Sequence, residues 1–218
     1  MAKTFGIFGA AAWYALALAV CAGCAAPNLY TTPRATPVGR FTGVLAPQLV
    51  RRPERREQAN MLLLGARLGL APRFDAGVRT NLASAAADIK WNAIRTKSFD
   101  LALDGGVELL PETLYVDLPV LLGFNLSEAV SLLPNIGITL GEGTQPSMSS
   151  KETFDDGLHD RPRAGRLLVR AGLGAQFRIT HSFAIEPEFT YVGPVRVNQG
   201  TSEFFAAGLG FCFGPLPY

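Results

Sequence analysis

RLLVRAGLGAQFRIT, residues 166–180, decides how this chain folds. Leu167, Val169, Ala171, Leu173, Ala175, Phe177 and Ile179 are apolar. Between them stand Arg166, Arg170, Gly172, Gly174, Gln176 and Arg178, with Leu168 the single apolar intruder. A repeat of two is the period of a strand with unlike faces. The pattern recurs at Phe74, Ala76 and Val78 against Asp75, Gly77 and Arg79. It recurs again at Ala87, Ile89 and Trp91 against Asp88, Lys90 and Asn92, and at Phe99, Leu101 and Leu103 against Asp100 and Asp104. Ten such segments are expected: 38–50, 59–71, 74–82, 84–94, 98–109, 113–125, 128–141, 164–179, 182–193 and 201–213. Each is close to the roughly 9–11 residues with which a tilted strand crosses a bilayer.

The connections alternate as well. Pro72-Arg73, Arg95-Thr96-Lys97, Leu126-Ser127 and Thr180-His181 are tight turns. Looser links run from Arg51 to Gln58, Leu110 to Glu112, Glu142 to Arg163 and Pro194 to Gly200; only the stretch Leu82 to Ser84 breaks the trend, being short where a loop is expected. An even strand number puts both termini on the side of the tight turns. Hydrophobic residues make up 48% of the 218 and charged residues 17%, yet only the N-terminus carries a run long enough for a membrane-spanning helix. A net charge of +2 gives no argument for nucleic acid. Two of the three cysteines, Cys21 and Cys24, sit near the N-terminus with Cys212 far away, which leaves no disulfide framework or metal-ligand spacing.

Met1 to Cys24 reads as an export signal, with Lys3 as its basic start and Thr4 to Val20 as its apolar stretch. Cys21-Ala22-Gly23-Cys24 resembles a bacterial lipobox. That resemblance implies a lipoprotein-type signal peptide over residues 1–23, cleavage before Cys24, and acylation of Cys24. An ordinary signal cut at Ala22 or Ala26, or an uncleaved N-terminal helix, are the alternatives. Residues 24–37, with Pro27, Pro33 and Pro37, are expected to form a flexible tether, and residues 38–218 the barrel.

Alternation alone does not say which face points outward, because a soluble lipocalin-like barrel alternates with its apolar side inward. The aromatic residues decide. Phe41, Phe74, Trp91, Phe99, Phe124, Phe177, Phe183, Phe211 and Phe213 all belong to the apolar face, at the strand ends beside the tight turns. Nine rings in one layer would overfill a narrow interior, whereas outside they form an interfacial girdle. Glycines such as Gly77, Gly106, Gly172 and Gly208 on the polar face relieve crowding within. In this pattern the chain resembles small bacterial outer-membrane β-barrel proteins, including the alternating last strand Phe205, Ala207, Leu209, Phe211 and Phe213 and the terminal aromatic Tyr218. The resemblance implies an all-β, antiparallel up-and-down transmembrane barrel with both termini in the periplasm. It implies contact with outer-membrane lipids and lipopolysaccharide, and recognition by the barrel-insertion machinery.

The polar face then lines the lumen. It carries Arg40, Arg67, Arg79, Lys90, Arg166, Arg170 and Arg178 against Asp75, Asp88, Asp100, Asp104, Glu108, Asp117, Glu186 and Glu188. Neighbouring strands are expected to pair Arg170 with Glu186 or Glu188, and Lys90 with Asp100 or Asp104. Such pairs would fill a narrow lumen with charge-assisted hydrogen bonds, giving a plugged barrel with a structural or interaction role. A narrow ion pore is the rival reading. A lipid-modifying enzyme needs a positioned nucleophile and base, and His181 in a turn and His159 in a loop offer no such pair. The run Asp155-Asp156-Gly157-Leu158-His159-Asp160 reads as a solvated acidic loop before a cation site, so no metal or cofactor is implied. The loop 142–163 reads as a third option, a surface recognition module, as loops on rigid barrels often are.

Overall fold

The computed structural model describes residues 28–52, 57–81, 84–110, 113–143, 166–195 and 203–216. The export signal, Cys24, the 155–160 loop, His159 and Tyr218 therefore lie outside the described residues. Ten strands are present: β1 (Phe41–Arg52), β2 (Glu57–Ala71), β3 (Phe74–Thr80), β4 (Ala85–Arg95), β5 (Phe99–Leu110), β6 (Thr113–Asn125), β7 (Val130–Gly143), β8 (Arg166–Thr180), β9 (Phe183–Pro194) and β10 (Phe204–Phe213). Each pairs antiparallel with its sequence neighbours, and β1 closes on β10. All ten fall within a few residues of the segments read from alternation.

The pairing register fixes the size of the barrel. From Leu64 on β2, one route passes Leu45, Phe211, Ile185 and Phe177 to Val130 on β7. The other passes Thr80, Ala85, Leu109 and Leu114 to Glu142, 12 residues further along the same strand. With about 3.3 Å per residue and about 4.8 Å between strands, that stagger tilts the strands by about 40° and sets a backbone radius of about 10 Å. The lumen is therefore wide enough to admit more than its own inward side chains.

The two faces separate as the sequence requires. Val78 and Ile89 are each 59% exposed on the outside, and Leu103, Ile136 and Leu173 are exposed on the same face of other strands. Asp75, Asp88, Lys90, Asp100, Asp104, Glu108, Asp117, Arg170, Glu186 and Glu188 are buried inside. The nine rings line the outer face toward the tight turns and meet across strands. Phe74 stacks on Trp91 at 6.2 Å, and Phe99 with Phe124 and Phe183 with Phe213 are each 5.4 Å apart. Phe189, Tyr191 and Phe205 form a second cluster nearer the long loops. The lipocalin-like alternative is overturned here, because the apolar face is outside. Among the described residues one charge assigned to the inward face is misassigned: Arg40 is exposed, in the turn before β1.

Candidate functional site

The lumen is occupied by the chain itself. Residues from Asn28 onward, expected as part of a tether, run inside the barrel from about its middle to the tight-turn end. Asn28, Leu29, Tyr30, Arg34 and Thr36 are all buried. The Leu29 N–H donates to both oxygens of Glu188 on β9, at 3.0 and 3.1 Å, and the Tyr30 N–H donates to one of them at 2.7 Å. Two successive N–H groups on one carboxylate is how backbone nests hold anions. Tyr30 has the left-handed φ of 45° that a tight nest of this kind requires, a strained value for a tyrosine. Its phenol oxygen accepts from Asn28 Nδ2 at 2.8 Å.

Further down, Lys90 Nζ donates to the Thr32 carbonyl at 2.7 Å and to Thr31 Oγ1 at 3.1 Å. Arg34 Nε pairs with Asp100 at 2.7 Å, and its Nη2 donates to the Thr96 carbonyl in a tight turn. The Thr36 N–H donates to Asp75 at 2.7 Å. The chain then reverses through Gly39, whose φ of +70° suits the Arg40 N–H to Pro37 carbonyl turn, and enters β1. Inward glycines make the groove. A Cβ at Gly210 would lie 2.7 Å from Tyr30 Cδ1, one at Gly123 2.9 Å from Pro33 Cγ, and one at Gly208 would collide with the Tyr30 hydroxyl. The void left beside the segment is about 50 Å³, lined by Tyr30, Thr31, Arg67, Lys90 and Glu186 among others, enough for a few waters.

Ion pairs tie this lower half together. Arg67 Nη2 lies 2.6 Å from both Asp75 and Asp88, and Lys90 Nζ lies 3.2 Å from Asp75. The expected partners therefore change. Lys90 sits opposite Asp104 on β5 and opposite Asp75 on β3 in register, and its ammonium reaches Asp75 and the inserted segment. Arg170 pairs with neither Glu186 nor Glu188 as a salt bridge. It faces Val192 across the strands, and its Nη2 is 4.0 Å from Asp117. Glu186 instead accepts from Gln176 at 3.2 Å. Glu108 accepts from Ser84 Oγ at 2.6 Å.

The loop-side half is looser. Arg79 and Arg170 converge on the same Asp117 oxygen at 4.0 Å each, too far for a hydrogen bond, while Thr139 Oγ1 donates to its other oxygen. Among the described residues, Arg79 Nε and Arg170 Nε and Nη1 have no hydrogen-bond partner. The Arg166 side chain lies outside the described residues. No group of three or more His, Cys, Asp or Glu able to hold a metal occurs among them.

No protein-family model and no curated protein sequence matches the chain. Solved structures do. An outer-membrane channel from Pseudomonas putida F1 is 10% identical over 83% of this chain and 97% of its own, with a TM-score of 0.54. The NanC porin is 9% identical over 78% and 98%, with a TM-score of 0.50. The attachment invasion locus protein of Yersinia pestis, solved with the heparin analogue sucrose octasulfate, is 14% identical over 80% and 96%, at 0.39. The likeness to the channel and the porin, together with the closed antiparallel sheet and apolar exterior of this chain, leaves one conclusion about architecture: this chain has the fold of the transmembrane β-barrels of bacterial outer membranes.

Proposed function

We infer that this protein is an outer-membrane β-barrel whose lumen is closed by its own N-terminal segment, with a structural or interaction role in the bacterial envelope. The observation that carries the reading is the burial of Asn28–Thr36 between Glu188, Lys90, Asp100 and Asp75. Closure by a segment, rather than by inward charges alone, leaves a void of about 50 Å³ beside it. An apolar belt of this extent has no stable solvent but acyl chains. The tight turns and both termini face the periplasm in this reading, and the long loops face outward, where loop 142–163 is the surface offered to a partner. Cys24 carries the lipid anchor. Outer-membrane lipids and lipopolysaccharide surround the belt, and the insertion machinery reads the last strand.

Reconstitution into planar bilayers tests the closed state. The intact protein is expected to give no steady current. Reproducible ion-selective steps from the intact protein would refute the closed lumen. They would establish the second reading, a narrow pore, which the fold shared with a channel and a porin favours.

A further inference from the structure

The tight-turn mouth of the barrel holds a vestibule of about 980 Å³, at the upper end of the range of small-molecule sites. Three successive turns wall it: β4–β5 with Arg95, Thr96 and Lys97, β6–β7 with Ser127 and Glu128, and β8–β9 with His181. Its floor is Arg34 of the inserted segment, which is buried, and Arg178 of β8, which is half-buried.

The floor fixes the walls. Arg34 Nη2 donates to the Thr96 carbonyl at 3.0 Å. Thr96 closes its own turn, its hydroxyl donating to the Phe99 carbonyl at 2.6 Å and accepting the Phe99 N–H at 2.9 Å. Arg178 Nη1 donates to the Glu128 carbonyl at 2.8 Å, in a turn where Ser127 Oγ accepts the N–H groups of Ala129 and Val130 at 3.2 and 3.1 Å. The two guanidiniums are themselves joined through Asp100, Asn125 and Ser131. Arg95 and Lys97 are therefore carried on a turn of set geometry, which lowers the ordering cost of binding.

The charge is one-sided. Arg34, Arg95, Lys97 and Arg178 line the vestibule against a single carboxylate, Glu128, among the described residues. Asp100, beneath them, offsets Arg34. Round the rest of the rim Arg40 and Arg73 are exposed, and no exposed Asp or Glu besides Glu128 stands on a tight turn among the described residues. A concave mouth with low-dielectric walls concentrates such a field.

We propose that this vestibule is a binding site for a phosphate-bearing anion. Cations reach it from the β4–β5 wall and from the floor, and His181 stands on a further wall. A tetrahedral phosphate presents oxygens in each of those directions, whereas a carboxylate presents two in one plane. The site stands on the turns themselves and is the same whichever side of the membrane they face. A phospholipid headgroup and a soluble phosphate ester share this chemistry, and the test separates them.

The chain has two histidines, so ¹³C-histidine NMR of the intact protein in neutral maltoside micelles reports the site, with His159→Ala assigning the His181 signal. Pyrophosphate at constant ionic strength is expected to shift that signal saturably, and succinate to bind at least tenfold more weakly. Arg95→Gln with Lys97→Gln is expected to weaken pyrophosphate at least tenfold. Arg40→Gln with Arg73→Gln removes the same charge from the rim outside the vestibule and is expected to leave binding within threefold. Arg95→Lys with Lys97→Arg keeps the charge and is expected to retain binding. Heat-modifiable migration in gels shows that each variant is a folded barrel. The proposal is overturned by no saturable shift in the wild type, by equal loss in the two glutamine pairs, or by succinate binding as tightly as pyrophosphate. Nanodiscs then identify the source. A headgroup occupant shifts the His181 signal in phosphatidylglycerol before pyrophosphate is added, and a soluble occupant leaves it as it is in phosphatidylcholine.

Discussion

Glu188→Gln isolates the strongest hold on the inserted segment. The native carboxylate takes the Leu29 N–H on both oxygens and the Tyr30 N–H on one, with Thr190 Oγ1 at 3.2 Å as a further donor. Every partner is a donor, so a carboxamide keeps one useful oxygen and turns an NH₂ toward an N–H. Charge-assisted bonds contribute about 1.5–3 kcal/mol and neutral ones about 0.5–1.5 kcal/mol. Losing one charged bond and weakening the other takes about 2–4 kcal/mol from docking of the segment. At about 1.4 kcal/mol per tenfold, the undocked population rises roughly 30- to 1000-fold. Arg34 reports it directly, because trypsin reaches the Arg34–Ala35 bond only when the buried segment leaves the lumen. When undocking is fast relative to cleavage, the rate of cutting follows that population. The expected outcome is faster cutting by the same factor, with the folded barrel still migrating as a compact species in unheated gels. A cleavage rate within threefold of wild type, in a folded barrel, would refute the assignment of Glu188 as the segment's anchor.

Three further outcomes are expected. Gly123→Ala places a Cβ against Pro33 and is expected to cost about 1–3 kcal/mol in segment docking; Pro33→Ala should restore most of that loss, and additive effects in this cycle would show that the two residues do not touch. Ile89→Arg, on the lipid-facing wall, is expected to lower folding stability in vesicles by about 2–4 kcal/mol in a urea titration; no change would mean that this face meets water. Intact mass measurement is expected to find a mature chain starting at an acylated Cys24, with the added mass lost in Cys24→Ala; an unmodified terminus at Ala25 or later would remove the lipid anchor.

Faces and strands were legible because period-two alternation is a local property. Phe74 and Asp75 declare opposite sides of the sheet whatever lies elsewhere, and the cross-strand ring pairs follow once the tight turns are placed. Tertiary identity of the ion pairs was not local. A long ammonium such as that of Lys90 has a carboxylate opposite it on each neighbouring strand, Asp104 on β5 and Asp75 on β3, and alternation does not say that it takes Asp75. Arg40 alternates correctly with the strand after it, but the turn at Gly39 carries it out of the wall.

The inserted segment was hidden for a different reason. Asn28 to Pro37 has no periodicity, and its prolines and threonines read equally well as a tether in water or as an extended chain in a polar channel. The signal was present in the charge balance. All eight inward carboxylates are buried, but of the seven cations assigned to the lumen Arg40 is outside, and Arg178 is only partly buried and spends its guanidinium on neutral acceptors that include Gln176, the Glu128 carbonyl and Ser131. Buried carboxylates short of cations must find other donors. Glu188 finds two backbone N–H groups, Asp75 a third, and Asp100 the guanidinium of Arg34, all from the same ten residues. A deficit of positive charge on the polar face of a ten-stranded barrel, with a radius near 10 Å to fill, is therefore itself a reason to look for donors in the segment that precedes the first strand.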